Sequence, residues 1–174
     1  LPAHGKQSWD VSELFGLTGA VTGWLRADPG GSSGVVGSVT FGGSSGAFVS
    51  SLPLQSAGDN RFLMGHIANG TIGVVSYFTG IAIVNPETTE GGEVPVQISA
   101  YDQNGQLLDT RVVVLSSLAR TVSLLHQVMP GLTTLFGGYL VVENLSYSDG
   151  ILVFQLFGDT SLQFLSAVPA IPLE

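Results

Sequence analysis

Strict alternation of apolar and polar positions marks the middle of the chain. Between Glu93 and Asp102, Val94, Val96 and Ile98 share one face, the period-two signature of a half-buried strand. Asn104-Gly105 follows and predicts a two-residue type I′ hairpin, in which both turn positions take positive φ. Residues 106–115 return as the partner strand. Pro95 has no N–H to give a ladder, which puts its strand at an edge or a bulge. Thr79 to Asn85 predicts another strand, stopped by Pro86 and the polar run from Glu87 to Gly92. Residues 61–68 add one more. Strands expected at 20–27, 34–41 and 46–54 have counterparts at 137–143, 150–157 and 161–168. Two helical turns interrupt them. One covers 121–129, with Val122, Leu125 and Met129 on one face before Pro130-Gly131, and a shorter one covers 8–15. The pattern predicts an all-β chain, an antiparallel β-sandwich with one or two short helical turns.

The counterparts form an internal repeat with an offset of about 115 residues. Leu17-Thr18 falls on Leu132-Thr133, and Gly23-Trp24-Leu25 on Gly138-Tyr139-Leu140. After a one-residue insertion, Phe41-Gly42 falls on Phe157-Gly158. Phe48, Ser50 and Pro53 then fall on Phe164, Ser166 and Pro169. Residues 1–58 thus resemble 115–172, and no counterpart of 59–114 stands before them. The expected organisation is a half-module over 1–60, the second half of a repeat, packed against a complete sandwich over 61–174. The alternative is one domain that duplicates a three-strand unit around a unique middle. Half a sandwich has an uncovered inner face and an unpaired sheet edge. The rest of the chain, a neighbouring subunit or a preceding segment must complete it.

Composition narrows the function classes. Thirteen acidic residues against five basic ones give a formal net charge of −8 in 174 residues. With Lys6 as the single lysine, the chain lacks the basic surface that nucleic acid or anionic lipid requires. The absence of cysteine removes disulfides, thiolate zinc sites and cysteine nucleophiles together. The longest apolar stretch, Ile72 to Val84, falls short of the roughly 20 residues of a membrane-spanning helix. Leu1 to Lys6 is not a signal peptide, since no apolar region follows it, and the chain is expected to be processed or a fragment. Only 10% of residues are charged while 44% are hydrophobic, which points to a surface that something covers.

The run Tyr77-Phe78-Thr79-Gly80-Ile81-Ala82-Ile83-Val84-Asn85-Pro86 has His66-Ile67-Ala68-Asn69-Gly70 before it and Tyr101-Asp102-Gln103-Asn104-Gly105 after it. With Leu124 to Leu132 and Gly138-Tyr139, it resembles the uncharacterised β-sandwich repeat modules of large secreted bacterial surface proteins. The likeness covers residues 66–172, with a partial second match over 1–58 that lacks the signature strand. It implies an extracellular, cell-surface or periplasmic location and a structural or interaction role, and brings no catalytic residues.

Candidate chemistry is sparse. Gly30–Gly34 and Gly42–Gly46 fit the G-x-S-x-G nucleophile elbow around Ser32 and Ser44. Both lie between expected strands in Gly/Ser tracts, and hairpin turns explain them. His4, His66 and His126 have no neighbouring histidine at metal-ligand spacing. His66 is expected to bond nearby backbone and His126 to face solvent. Asp102, Asn104 and Asp109 are too few for a calcium loop, so Asp102 is expected to bond within its own turn. Glu87, Glu90 and Glu93 form a solvated acidic patch. Trp9, Trp24, Tyr77, Tyr101, Tyr139 and Tyr147 could form a sugar platform, but Trp24 and Tyr139 are repeat equivalents and suggest a shared packing role. Asn69-Gly70-Thr71 and Asn144-Leu145-Ser146 match the glycosylation sequon.

The expectation is a non-enzymatic extracellular structural or interaction module, an adhesion or assembly subunit acting through strand edges and apolar faces. Trp24, Val36, Phe41, Phe48 and Tyr139 are its expected interaction surface, with no cofactor and no metal. The partner is another protein or identical subunits joined by strand addition, which head-to-tail would give an open filament. The alternative is a carbohydrate-binding accessory module of a larger secreted protein, for which the partner is a glycan.

Overall fold

The structure is a computed structural model that describes residues 5–19, 21–30, 34–43, 46–88, 92–146 and 150–174. A short helix, α1 (Val11–Phe15), comes first. The strands β1 (Ser38–Gly42) and β2 (Val49–Pro53) form a hairpin. Then follow β3 (Arg61–Met64), β4 (Ala68–Ile72), β5 (Val75–Val84), β6 (Val94–Tyr101), β7 (Leu107–Leu115) and β8 (Arg120–Leu124). A one-turn helix, α2 (Leu125–Val128), precedes β9 (Leu135–Phe136), β10 (Tyr139–Asn144), β11 (Leu152–Asp159), β12 (Leu165–Pro169) and β13 (Ile171–Pro172).

All pairings are antiparallel, and the architecture is that of a β-sandwich. One sheet runs β13-β3-β10-β6-β7 and the other β12-β11-β5-β4-β9, with β8 also on β5. Alternation builds the core. Val94, Val96, Ile98 and Ala100 of β6 are all buried, and β10 sets Leu140 opposite Ala100 and Val142 opposite Ile98. The same two residues face Met64 and Phe62 of β3. The second sheet contributes Ile81, Ile83 and Val153. Leu125 and Met129 from the α2 turn are fully buried in the same cluster. Among the described residues, every buried side chain lies between Phe62 and Ala170.

Polar residues are also buried. Gln155 of β11 sits where the pattern places a core residue, opposite Ile81, and its Nε2 has no hydrogen-bond partner. Asn85, at the end of β5, is buried but well served. Its Nδ2 donates to the carbonyls of Gly92, Leu115 and Ser116 at 2.9–3.2 Å, and its Oδ1 accepts from Glu87 N–H.

Several expectations need correcting. Residues 21–29 form no strand. The expected helix over 121–129 is strand to Leu124, because β5 offers an open edge there, and turns helical only at Leu125. Pro95 lies in β6, an interior strand between β10 and β7. Its carbonyl accepts from Leu145 N–H just past the end of β10, so its own nitrogen faces the same side, where that ladder has ended. The Asn104-Gly105 turn is not type I′, because only Gly105 has positive φ (82°). Gly105 N–H donates to the carbonyl of Asp102 and Asp102 N–H to that of Gln106, with a register shift at Ala100/Tyr101.

The two hairpins β1–β2 and β11–β12 are built alike. Ser38 faces Pro53 as Phe154 faces Pro169, Phe41 faces Ser50 as Phe157 faces Ser166, and Gly42 faces Val49 as Gly158 faces Leu165. Their turns also correspond. Gly43 N–H donates to Phe48 and Gly46 N–H to Gly43, as Asp159 N–H donates to Phe164 and Leu162 N–H to Asp159. Gly46 and Leu162 both take positive φ, 73° and 55°. A Cβ on Gly42 would stand 2.7 Å from the Phe48 carbonyl oxygen, and one on Gly158 the same distance from that of Phe164. The hairpins are neighbours along their second strands, where Ala167 N–H donates to Ser50 Oγ at 2.8 Å.

Candidate interaction surface

Among the described residues of the first 60, local order is present but no residue is buried. In α1, the Asp10 carboxylate caps the N–H groups of Ser12 (2.7 Å) and Glu13 (3.2 Å) and also accepts from the Ser12 hydroxyl. Those bonds, the hydroxyl's first, hold its carboxyl below the usual range. Gly16, in the left-handed region, closes the helix. The cap is complete, but Val11, Leu14 and Phe15 are all exposed and no residue of α1 is buried. A five-residue helix has little stability of its own and ordinarily rests on an apolar face. Trp9, 56% exposed, stands just before it.

The hairpin continues this exposure. Val36 is 92% exposed and Val49 71%, while Val39, Phe41, Phe48 and Leu52 are half-buried. Of the five residues expected to form one surface, Phe41 and Phe48 share this hairpin, and Val36 lies just before it. Trp24 is elsewhere, its Nε1 donating to the Leu118 carbonyl (3.0 Å) in the turn between β7 and β8. Tyr139 begins β10 and stacks on Tyr101, centroids 4.9 Å apart and planes 9° from parallel. The shared packing role expected for Trp24 and Tyr139 therefore does not hold. What the side-chain pattern did not single out is which residues carry an open edge, namely Ser38, Thr40 and Gly42 of β1. The repeat alignment already set Gly42 on Gly158, and that was the signal available.

Other candidates disperse. Ser32, Ser44, His4, Glu90 and Tyr147 lie outside the described residues. His66 packs its ring against Phe157 at 4.4 Å instead of bonding backbone, and His126 is exposed as expected. Among the described residues, no three metal-ligating side chains cluster. Asp102 does bond within its turn, accepting from the N–H groups of Asn104 and Gln106 at 2.8 Å. The bond from Gln106 leads the causes that hold its carboxyl below the usual range. Glu93 is exposed and Glu87 half-buried, its carboxylate accepting from Thr88 N–H. Both sequon asparagines are buried. Asn69 donates to the carbonyls of Leu132 and Thr133, and Asn144 donates to Asn60 Oδ1.

Two of the clefts on the sandwich are lined in part by polar side chains. One, of about 240 Å³, lies where β7 and β8 part and is lined by Ile81, Ile98, Arg111, Thr121, Ser123 and Gln127 among others. The other, of about 350 Å³, holds His126, Tyr77 and the hydrogen-bonded pair Thr71–Ser76 (2.8 Å). Its described lining brings no carboxylate to orient the imidazole, which a nucleophile–base arrangement would need. Among the described residues, the expected sugar-binding aromatics form no row. Tyr101 and Tyr139 cover each other's faces, and Tyr77 makes ring contacts to Phe136 and Phe164.

No family model matches the chain, and no curated protein matches it. Among solved structures it is similar to the crystal structure of Thermotoga maritima 1070, at 14% identity and a TM-score of 0.50. That match covers 67% of this chain and 97% of that one. The Anabaena sensory rhodopsin transducer is also similar, at 12% identity and a TM-score of 0.44, over 62% of this chain and 100% of that one. At 14% identity the likeness to the Thermotoga maritima structure is one of fold alone.

Proposed function

We propose that the chain is a non-enzymatic structural or interaction module of an extracellular, cell-surface or periplasmic assembly, working through a strand edge and apolar faces. The observation that supports this is that no described residue in the first third of the chain is buried. It forms a capped helix that buries none of its residues and a hairpin whose β1 edge pairs with no described strand. Apolar side chains left in water are a standing cost of about 25 cal/mol per Å² that association recovers. The low charge count fits a surface meant to be covered. Light scattering across a concentration series tests the self-association form of the proposal. The expected result is a mass that rises above the 18.0 kDa monomer. A monomer that persists at high concentration, with electron microscopy showing no oligomers, would overturn that form.

A further inference from the structure

We infer that the open edge of β1 is an acceptor for one kind of strand: an antiparallel partner with the sequence pattern of β5 that does not already belong to a sandwich. This rests on the assembly reading and gives its partner a chemistry.

The chain contains both an occupied and an open version of the same hairpin. In β11–β12, the edge of β11 away from β12 is taken by β5. Gly158 faces Phe78, Leu156 faces Gly80 and Phe154 faces Ala82. β1–β2 repeats that hairpin in register, turn bonds and glycine placement. Its corresponding edge pairs with no described strand.

The backbone of β1 is oriented to receive a partner. Gly43 N–H bonds Phe48, and the Gly37 carbonyl accepts from Leu54 N–H, so these positions point at β2. Antiparallel alternation then turns the N–H and C=O of Ser38, Thr40 and Gly42 the other way. Edge strands that must stay unpaired usually carry a charge, a proline or a bulge. Ser38–Gly42 has neither a charged residue nor a proline, and its ladder to β2 runs without a register shift.

Gly42 sets the specificity. At Gly158, the tip of the Phe78 ring comes within 3.1 Å of where a Cβ would stand. The same vacancy exists at Gly42, with the carbonyl of Phe48 closing its β2 side as that of Phe164 does at Gly158. A partner in the β5 register would seat an aromatic ring against Gly42, a glycine opposite Thr40 and a small residue opposite Ser38. The β5 segment of a second folded copy does not qualify, because β11 holds one of its edges and β4 and β8 share the other. The donor is therefore a strand of this pattern that is free to pair.

The test mixes the full chain with a synthetic peptide of residues 75–84, flanked by lysines for solubility, and follows hydrogen exchange by mass spectrometry. The expected result is saturable slowing of exchange confined to the β1 segment. A peptide N-methylated at the Gly80 equivalent, which cannot donate to Thr40, should bind at least about tenfold more weakly. So should a scrambled peptide. A Thr40→Pro variant, which removes an N–H that β2 does not use, should lose the protection while the chain stays folded. No protection at saturating peptide, protection at another edge, or equal binding of the N-methylated and scrambled peptides would overturn the inference. So would a chain that oligomerises through β1 paired with β1. A chain that oligomerises by another face and ignores the peptide would overturn this inference and leave the assembly reading standing.

Discussion

Thr79 lies on β5 between the stretch paired with β4 and the stretch paired with β8. Its hydroxyl accepts from Ala68 N–H (3.0 Å) and donates to the Ala68 carbonyl (3.1 Å), closing a gap where neither strand supplies a ladder bond. Thr79→Val keeps the shape and leaves both Ala68 groups without that partner. The expected loss is about 1–3 kcal/mol in guanidinium unfolding at unchanged slope. Thr79→Ser, which retains the hydroxyl, should lose much less. The glycines Gly23 and Gly138 offer a matched pair, since the repeat aligns them. A Cβ on Gly138 would stand 2.3 Å from the Tyr101 carbonyl oxygen, whereas one on Gly23 meets nothing within 4 Å. Gly138→Ala should therefore lower stability by about 1–3 kcal/mol and Gly23→Ala by under 0.5, read from the same unfolding curves.

At the level of elements, what could be read from the sequence followed the strength of the local signal. β6 follows its alternation and β7 falls within the expected 106–115, while the hairpins expected at 34–54 and 150–168 overlap the observed β1–β2 and β11–β12. The errors share a cause, which is that pairing partners decide where propensity does not. Val122 fits a helical face with Leu125 and Met129, but β5 has an open edge beside it and draws residues 120–124 into β8. Pro95 reads as an edge residue until β10 is seen to stop short of it. Residues 20–27 carry the strand pattern of their counterpart 137–143, yet 21–27 form no ladder. Beside β10, their counterpart strand, stand β3 and β6. The candidate surface was half legible. Phe41 and Phe48 were placed together by the repeat, whereas the free backbone of β1 is invisible to any side-chain pattern.

For the whole molecule, acid should be destabilising, and the sign follows from three aspartates. Asp159 is held below the usual carboxylate range by the Ser161 hydroxyl first and by Phe164 N–H next, and Asp102 and Asp10 are also lowered. A carboxylate with a depressed pKa in the fold stabilises it fully above the unfolded value. It loses that contribution as pH falls through the folded value. Unfolding midpoints should be flat near neutrality and fall below about pH 4. Asp159→Asn should be less stable at pH 7 and show a shallower acid slope; an unchanged slope would remove Asp159 from the account. The matched hairpins also bear on how the chain finds its fold. β5 must choose between two hairpins of identical register, and the nearer one in sequence belongs to the first 60 residues. The choice turns on a few side chains. Seating β1 in place of β11 would set Gly37 where Val153 fills the core, leaving a void, although Val39 would suit that interior better than the unpartnered Gln155. The repeat of one hairpin thus builds a competing partner for β5 into the chain, and the void at Gly37 is what disfavours it.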